Sequence, residues 1–315
     1  MKFFSRFFFC KLLGLFVLIL GVMTAFASFA PKNFPVGSEV HIAQNSSLSD
    51  ISDLLAGKDV ISSAFLFKVI ITSLHAHRIV AGDYLFSKQE NLWIVANRFA
   101  EGDQQLIPVK VTIPEGSTVR DIASILLKKM PNFNAPYFIK IAHDYEGYLF
   151  PDTYLFSPHE SPDNIFKTLR DTFDAKIADM TTDIRLSHHT QKDIVIMASL
   201  LEKEASSTND RLIISGILWK RIGEGIPLQV DASLVYITGH TSPSVADTKI
   251  DSPYNTYKYP GLPKGPISNP GLDALTAAEH PVTSTYYYYL SDAKGNMHYA
   301  NTYDEHLANR RKYLK

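Results

Sequence analysis

The chain has 315 residues and a mass of 35.3 kDa, and 45% of its residues are hydrophobic. This is enough for one large domain or two modest ones, and it excludes wholesale disorder. The formal net charge is -1, from 31 Lys+Arg and 32 Asp+Glu, so no basic field exists to hold DNA or RNA. We therefore expect no nucleic-acid partner. The single cysteine, Cys10, excludes disulfide frameworks and cysteine-ligated metals from the rest of the chain.

An uncharged apolar stretch near the N-terminus predicts a membrane anchor. Residues 12–30 carry no charge and would span about 28 Å as a helix, close to the hydrocarbon thickness of a bilayer. Basic side chains precede the stretch, which favours a cytoplasmic segment over residues 1–11, a single pass through a membrane, and an exported, extracytoplasmic remainder. A cleaved signal peptide is the alternative, because residues 25–27 and 28–30 both have the small-x-small pattern of a cleavage site.

Two strand–helix patterns resemble each other in the residues that follow. Residues 40–55 and 109–126 each predict a short strand, a polar turn and an amphipathic helix capped by Ser or Thr. This similarity indicates a weak internal repeat. The alternative is two unrelated strand–helix units that happen to share the pattern.

The remaining signals in this half divide the chain. Residues 81–86 and 92–99 predict a further strand and helix, and a turn at residues 101–103 marks a boundary. We predict an α+β fold with a small module over residues 31–107 and a larger mixed α+β domain over residues 108–315. Strand–helix–helix–strand units that begin this way resemble LysM-type glycan-binding modules, which implies a carbohydrate polymer near this surface.

A strongly apolar helix is predicted to begin at Thr190. Thr190 and Asp193 form a capping box, and the apolar groups of residues 194–201 cover nearly the whole helix circumference. This helix should therefore be buried on most sides, and it ends within residues 202–205. A second helix is predicted over residues 210–222, stopped by a glycine pair.

The last part of the chain predicts a hairpin and a terminal helix. Residues 286–289 and 297–300 read as strands around a turn at residues 292–296, with some tyrosines facing a core. A basic run at residues 310–312 is typical of a solvated terminal helix.

One acid at the end of the apolar helix stands out. Glu204 follows Met197 and Leu201 at helical spacing, which turns it toward the protein. It faces the negative end of the helix dipole and is partly buried, and both effects raise its pKa, as a general acid requires. Glu202 lies about 160° away around the axis, so the two acids cannot form a close dyad. The alternative is a solvated helix end without a catalytic role.

Four segments are rich in Tyr, Asn, Gln, Pro and Gly. Rigid turns, aromatic faces and amide groups suit a sugar chain, because sugar faces stack on aromatics and sugar hydroxyls pair with amides. For any single segment, turn formation without a ligand is the alternative. The segments are residues 146–154, 226–231, 252–257 and 261–271.

Together with Ala198-Ser-Leu-Leu-Glu-Lys-Glu-Ala, these segments resemble, in this order, the MltG/YceG family of endolytic murein transglycosylases. The resemblance covers nearly the whole chain. It implies an inner-membrane anchor, a LysM-like module and a catalytic domain that cuts nascent peptidoglycan strands and so limits their length. The glutamate that is catalytic in the family matches Glu204. The chain departs from the family at Lys220, Ala232 and Lys264, where Asn, Pro and Pro are usual.

The resemblance also implies the chemistry. Glu204 would protonate the oxygen between N-acetylmuramic acid and N-acetylglucosamine and then take the proton of the C6 hydroxyl, which gives a 1,6-anhydro end. Intramolecular attack has a high effective molarity, so no second carboxylate is needed to activate water. The candidates for holding the sugars are Gln229, Tyr254, Asn255 and Tyr257, with Glu202 and Asp231 as polar support.

Two other functions remain open. A hydrolytic muramidase would use Glu204 as acid and Asp231 to aid water, and a non-catalytic scaffold would bind glycan beside the cell-wall synthases. We expect no metal, because the spacings of His75 with His77 and of His188 with His189 differ from the i,i+4 pair of a helical zinc site. We expect no other cofactor either, because the glycine-rich segment 261–271 lacks the ending of a phosphate loop.

Overall fold

The computed structural model describes Gly21, Ala25 and residues 29–74, 79–178, 180 and 189–314. Its contacts divide the chain into two compact units, one that ends at Ile107 and one over Pro108–Lys315. Within the described residues, no helix combines the length and apolarity needed to cross a membrane. Most of the predicted anchor over residues 12–30 lies outside the described residues.

From residue 29 onward, the described residues of the first unit form a two-stranded sheet and three helices. The strands pair antiparallel, with Val40 opposite Tyr84, and the Tyr84 ring stacks on Phe99 with ring centroids 4.0 Å apart. Ser47 and Asp50 form the capping box that opens the first helix, so the predicted strand, turn and capped helix are confirmed here. The elements are β1 (Ser38–Ile42), α1 (Leu48–Gly57), α2 (Ala64–Ser73), β2 (Gly82–Phe86) and α3 (Leu92–Glu101).

The second unit begins with another two-stranded sheet and three helices. Thr118 and Asp121 form a capping box, and the apolar side chains of the helices close one core around Phe138 and Leu169. The predicted strand and capped helix over residues 109–126 are therefore confirmed. The elements are β3 (Val109–Thr112), α4 (Val119–Lys129), α5 (Ala135–Ala142), β4 (Thr153–Phe156) and α6 (Pro162–Ala178), with β3 antiparallel to β4.

The rest of the second unit is built around one buried helix. All eight residues from Ile194 to Leu201 are buried in this helix, as the all-round apolar pattern predicts. Three further helices, those over Thr208–Gly223, Asp231–Thr238 and Leu272–Glu279, pack against it. The elements are α7 (Gln191–Glu204), α8 (Thr208–Gly223), α9 (Asp231–Thr238), α10 (Leu272–Glu279), β5 (Tyr288–Ser291), β6 (Met297–Ala300) and α11 (Tyr303–Tyr313).

The C-terminal hairpin and helix match their predictions. Strands β5 and β6 are antiparallel, with Tyr289 opposite Tyr299, and the Asp292 carboxylate accepts the backbone N–H of Lys294 and of Asn296 in the turn. Helix α11 has no buried residue. The hairpin brings tyrosines from the end of the chain to the end of α7.

Candidate active site

A groove of about 1310 Å³ runs along the second unit. Its walls come from the end of α7, the start of α4, helix α9 and the loops around residues 241–243 and 264–267. Of the residues that the sequence singles out for the site, Glu204, Asp231 and Tyr254 line this groove. The others do not line it and are described below.

Glu204 is the last residue of α7 and is half-buried in the groove. Tyr289 Oη donates a hydrogen bond to Glu204 Oε2 at 2.9 Å. Burial raises the pKa of Glu204 to about 7, the Tyr289 hydrogen bond opposes that rise, and the negative charge of Asp231 adds to it. Burial is the effect expected from the sequence, whereas the influence of Asp231 and Tyr289 is not. The result is a carboxyl that is partly protonated at neutral pH and accessible from the groove.

The buried helix fixes the position of this acid. Ser199 on α7 donates to the carbonyl of Ile196 at 2.7 Å and accepts the backbone N–H of Ile267 at 3.1 Å. Ser268 Oγ donates to the carbonyl of Ser199 at 3.2 Å. Helix α7 is thereby tied to the glycine- and proline-rich segment 261–271. Because both are held in a packed core, the carboxyl at the helix end has little freedom to move.

Asp231 and Tyr257 form a pair next to Glu204. Asp231 is the first residue of α9 and is exposed, and the Tyr257 Oη donates a hydrogen bond to its carboxylate. Burial raises the pKa of Tyr257, and the negative charges of Asp231 and Glu204 raise it further. Two of the residues selected from the sequence, from segments 26 positions apart, are thus brought to the same acid.

Gln229 supports the segment that leads to α9. Its backbone is in the left-handed region, with φ of 56°, and its N–H donates to the carbonyl of Thr256 at 3.0 Å. Its side-chain Oε1 accepts a hydrogen bond from Arg221 Nη2 at 2.8 Å, and Arg221 is buried. Gln229 is exposed but does not line the groove, and its contacts with Arg221 and Thr256 hold the segment that leads to α9.

Asn255 is not a sugar contact, which corrects the sequence-based assignment. It is 1% exposed. Its Nδ2 donates to the carbonyls of Thr248 and Ile250 at 3.0 and 2.8 Å, and its Oδ1 accepts the N–H of Tyr257 at 2.9 Å and that of Lys258 at 3.3 Å. Every hydrogen-bonding position of the amide is therefore taken by backbone. Asn255 shapes the loop that carries Tyr254 and Tyr257.

Glu202 is a structural acid, as its position on the opposite face of the helix indicates. Its Oε1 accepts from Arg211 Nη2 at 2.7 Å and its Oε2 accepts the backbone N–H of Gly271 at 2.9 Å. Arg211 also pairs with Asp273 at 2.6 Å. Burial raises the pKa of Glu202, while Gly271 and Arg211 oppose the rise. The pair joins the end of α7 to α8 and to the start of α10.

The sequence-based selection missed four residues of this site. Tyr289 and Arg221 lie beside Glu204 and Gln229, as described above. Glu146 lines the groove, and Asn269 Nδ2 donates to Glu146 Oε1 at 3.0 Å. Glu146 and Asn269 lie in segments that composition singled out, but composition does not show which side chains of a loop face inward.

A close approach of backbone explains one glycine in this region. Gly147 has φ of +86°, and a Cβ there would lie 2.5 Å from two atoms of Pro266. The turn after Glu146 therefore packs directly on the segment 261–271. This contact places Glu146 at the groove.

The remaining sequence-based expectations concern the three departures from the family pattern and the candidate metal ligands. Lys220 donates to the carbonyls of Ser284 and Tyr286 at 2.6 and 2.8 Å, whereas Ala232 and Lys264 line the groove. In the part of the chain that the structure describes, no group of three or more His, Cys, Asp or Glu side chains is arranged to hold a metal. His189 stacks on Trp219 with centroids 3.6 Å apart, and His75, His77 and His188 lie outside the described residues.

Known proteins with similar sequence or structure agree with the motifs. The profile of the YceG-like family matches residues 40–312. An endolytic murein transglycosylase from Bacillus subtilis is 30% identical over an alignment of 304 positions, and the match covers 87% of this chain and 84% of that protein. One from Streptococcus pneumoniae is 25% identical over an alignment of 314 positions, and the match covers 86% of this chain but only 57% of that relative.

A crystal structure of a YceG-like protein from Listeria monocytogenes superposes with a TM-score of 0.59 at 28% identity. The match covers 86% of this chain and 99% of that chain. The mixed α+β architecture of this chain agrees with the predicted fold class. With a family profile that spans most of its length, this chain belongs to the YceG-like family.

Proposed function

We propose that this chain is a lytic transglycosylase of peptidoglycan in which Glu204 is the catalytic acid and base. The observation that carries the proposal is a half-buried carboxyl with a pKa of about 7 in a groove lined by polar and aromatic side chains. The relatives described above are named endolytic murein transglycosylases, which supports the same activity.

The proposed reaction needs one carboxyl and no water. Protonated Glu204 gives its proton to the oxygen that joins N-acetylmuramic acid to N-acetylglucosamine, and the bond from C1 of the muramic acid to that oxygen breaks. The Glu204 carboxylate then takes the proton of the C6 hydroxyl while O6 bonds to C1. The products are a free N-acetylglucosamine hydroxyl and a 1,6-anhydro-N-acetylmuramic acid end. Holding O6 near C1 replaces an activated water molecule.

Asp231 has two effects in this scheme. Its charge keeps Glu204 protonated at higher pH, and the same charge stabilises the positive character that develops at C1 as the bond breaks. Its exposed carboxylate beside Glu204 also favours the second candidate, a muramidase in which Asp231 activates water. A purely glycan-binding scaffold would need neither group.

We further propose the cellular setting that the sequence indicates. The uncharged segment over residues 12–30 would anchor the chain in the inner membrane with the groove outside the cytoplasm, where it would shorten nascent strands beside the cell-wall synthases. The strand–helix–helix–strand order of β1, α1, α2 and β2 supports a LysM-like glycan-binding role for the first unit.

The test is digestion of purified glycan strands by the full-length protein, followed by mass spectrometry of the new ends. Anhydro ends that disappear with Glu204→Gln are the expected result, with a rate loss of at least about 100-fold. Reducing ends would replace the proposal with the muramidase. If the strands bind to the unmodified protein but stay intact, only the function of a non-catalytic glycan-binding scaffold would remain.

A further inference from the structure

The groove contains a second carboxyl that the cleavage step does not use. Glu146 is half-buried and lines the groove. Its Oε1 accepts the backbone N–H of Val119 and the Nδ2 of Asn269, both at 3.0 Å. Its Oε2 makes only a longer contact of 3.3 Å to the same Val119 N–H. One oxygen is therefore held by the protein, and the other keeps acceptor capacity for a ligand.

Glu146 and Glu204 belong to different parts of the groove. Burial raises the pKa of each to about 7, but the neighbouring charges differ. Asp121 and His143 act on Glu146, whereas Asp231 acts on Glu204. The geometry agrees, because a Cβ on the adjacent Gly147 would lie 3.1 Å from Val195 Cγ1, and Val195 precedes Glu204 by about 13.5 Å along α7. The turn that carries Glu146 therefore packs on α7 well before its end.

Aromatic side chains and a cation surround Glu146. The rings of Tyr236 and Tyr254 lie 5.2 Å apart at an angle of 46°, and both side chains line the groove. Burial raises the pKa of Tyr236 to about 12, the charge of Glu146 adds to the rise, and that of Arg120 opposes it. Both charged groups line the same groove as this phenol.

The phenols of Tyr236 and Tyr254 and the guanidinium of Arg120 have no polar partner among the described residues. Among the described residues, neither phenol oxygen has a hydrogen-bond partner, and the exposed guanidinium of Arg120 has no ion pair. An acceptor, a cation and two half-buried phenols thus face the same section of the groove. Such a section offers both donors and acceptors beside an aromatic surface.

We propose that Glu146, Arg120, Tyr236 and Tyr254 form a second saccharide subsite that holds an N-acetylated sugar of the strand away from the cleaved bond. An acetamido group carries one N–H donor and one C=O acceptor, which match the free oxygen of Glu146 and the guanidinium of Arg120. The sugar face stacks on the tyrosine rings. This inference rests on the proposed function, because it assigns a glycan strand to the same groove. Binding of a sugar at a distance from the cleaved bond favours cleavage inside a strand over cleavage at its end.

The test is isothermal titration calorimetry of the full-length protein with a hexamer of β-1,4-linked N-acetylglucosamine. The protein carries Glu204→Gln so that the sugar is bound without turnover. Adding Glu146→Gln keeps an acceptor for the Val119 N–H and removes the charge at the subsite. We expect the Kd to rise about tenfold, which corresponds to about 1.4 kcal/mol. Glu224→Gln on the same background, at an exposed position outside the groove, is the matched control and should leave the Kd unchanged.

A second variant keeps the test decisive if Glu146→Gln disturbs folding, as thermal unfolding would reveal. Arg120→Gln changes an exposed side chain and should also weaken binding of the hexamer. Unchanged Kd values in folded variants would overturn the subsite, and so would failure of the Glu204→Gln protein to bind the hexamer. Intact strands after digestion, combined with binding that depends on Glu146, would instead overturn the cleavage proposal and leave the subsite standing.

Discussion

Tyr289 Oη donates a hydrogen bond to Glu204 Oε2 at 2.9 Å, across 85 positions of the chain. The donor stabilises the carboxylate form of Glu204, whereas burial and the charge of Asp231 stabilise the protonated form. The pKa of about 7 is the balance of these effects. Changing one of them should therefore move the pH dependence of the reaction in a direction that the structure specifies.

Tyr289→Phe removes the donor and should raise the pKa of Glu204. A general acid must be protonated in the free enzyme, so kcat/KM falls on the alkaline side with this pKa. We expect the alkaline limb to move up by about 0.5–1 pH unit, the size of one hydrogen bond. Measured kcat/KM from pH 5 to 9 gives the result. Tyr299→Phe, at the position paired with Tyr289 in the hairpin, is the control, since its phenol bonds to Asp210 instead. Equal shifts in both variants would contradict the prediction.

Asp231→Asn should have the opposite effect. The amide still accepts a hydrogen bond from Tyr257, but the negative charge next to Glu204 is gone. The pKa of Glu204 should fall, and the alkaline limb should move down by roughly half a unit. The same kcat/KM series detects the shift, and an unchanged or higher limb would show that the Asp231 charge does not act on Glu204. If the chain is a muramidase, this variant should also stop hydrolysis.

The raised pKa of Glu204 should also lower stability at alkaline pH. In the folded state Glu204 keeps its proton to about pH 7, whereas in the unfolded chain it loses the proton near the ordinary glutamate pKa of 4.5. The folded state thus binds more protons between these values, so the free energy of unfolding falls as pH rises through this window and is lowest above it. Glu204→Gln removes this loss. At pH 8 its Tm should exceed that of the unmodified protein by about 2–4 °C for each kcal/mol of unfolding free energy that the substitution restores. At pH 4 the two Tm values should be equal. A variant that is less stable at pH 8 would refute the burial of the charge.

Asn255→Ala tests the reassignment of that residue to loop support. The substitution leaves two carbonyls and two N–H groups without their partly buried contacts to the amide. Since an unsatisfied group costs about 1–3 kcal/mol when buried and less when water reaches it, we expect a loss of about 2 kcal/mol in the free energy of unfolding, measured by urea denaturation. Asn255→Asp keeps the acceptor but sets a buried carboxylate oxygen against the two carbonyls, so it should also destabilise the fold. Normal stability together with weaker glycan binding would restore Asn255 as a sugar contact.

The features that the sequence predicts well are those with local physical signals. The capping box at Thr190 and Asp193 and the unbroken apolar run of residues 194–201 predict α7 and its burial, and the helix ends at Glu204 as predicted. The alternation and turn residues of the hairpin likewise predict β5 and β6. Such signals depend on residues that are close in sequence, so they can be recognised without knowledge of the tertiary structure.

The loops are different, because their side chains are directed by partners far away in the chain. Asn255 and Tyr254 are adjacent in one segment, yet Asn255 is buried against backbone and Tyr254 faces the groove. Glu146 meets Asn269 across 123 positions. Sequence alone therefore determined the acid at the end of a buried helix and the kind of surface around it. Tertiary packing alone decided which side chains reach the acid and the groove, since non-periodic segments carry no local rule for the direction of a side chain.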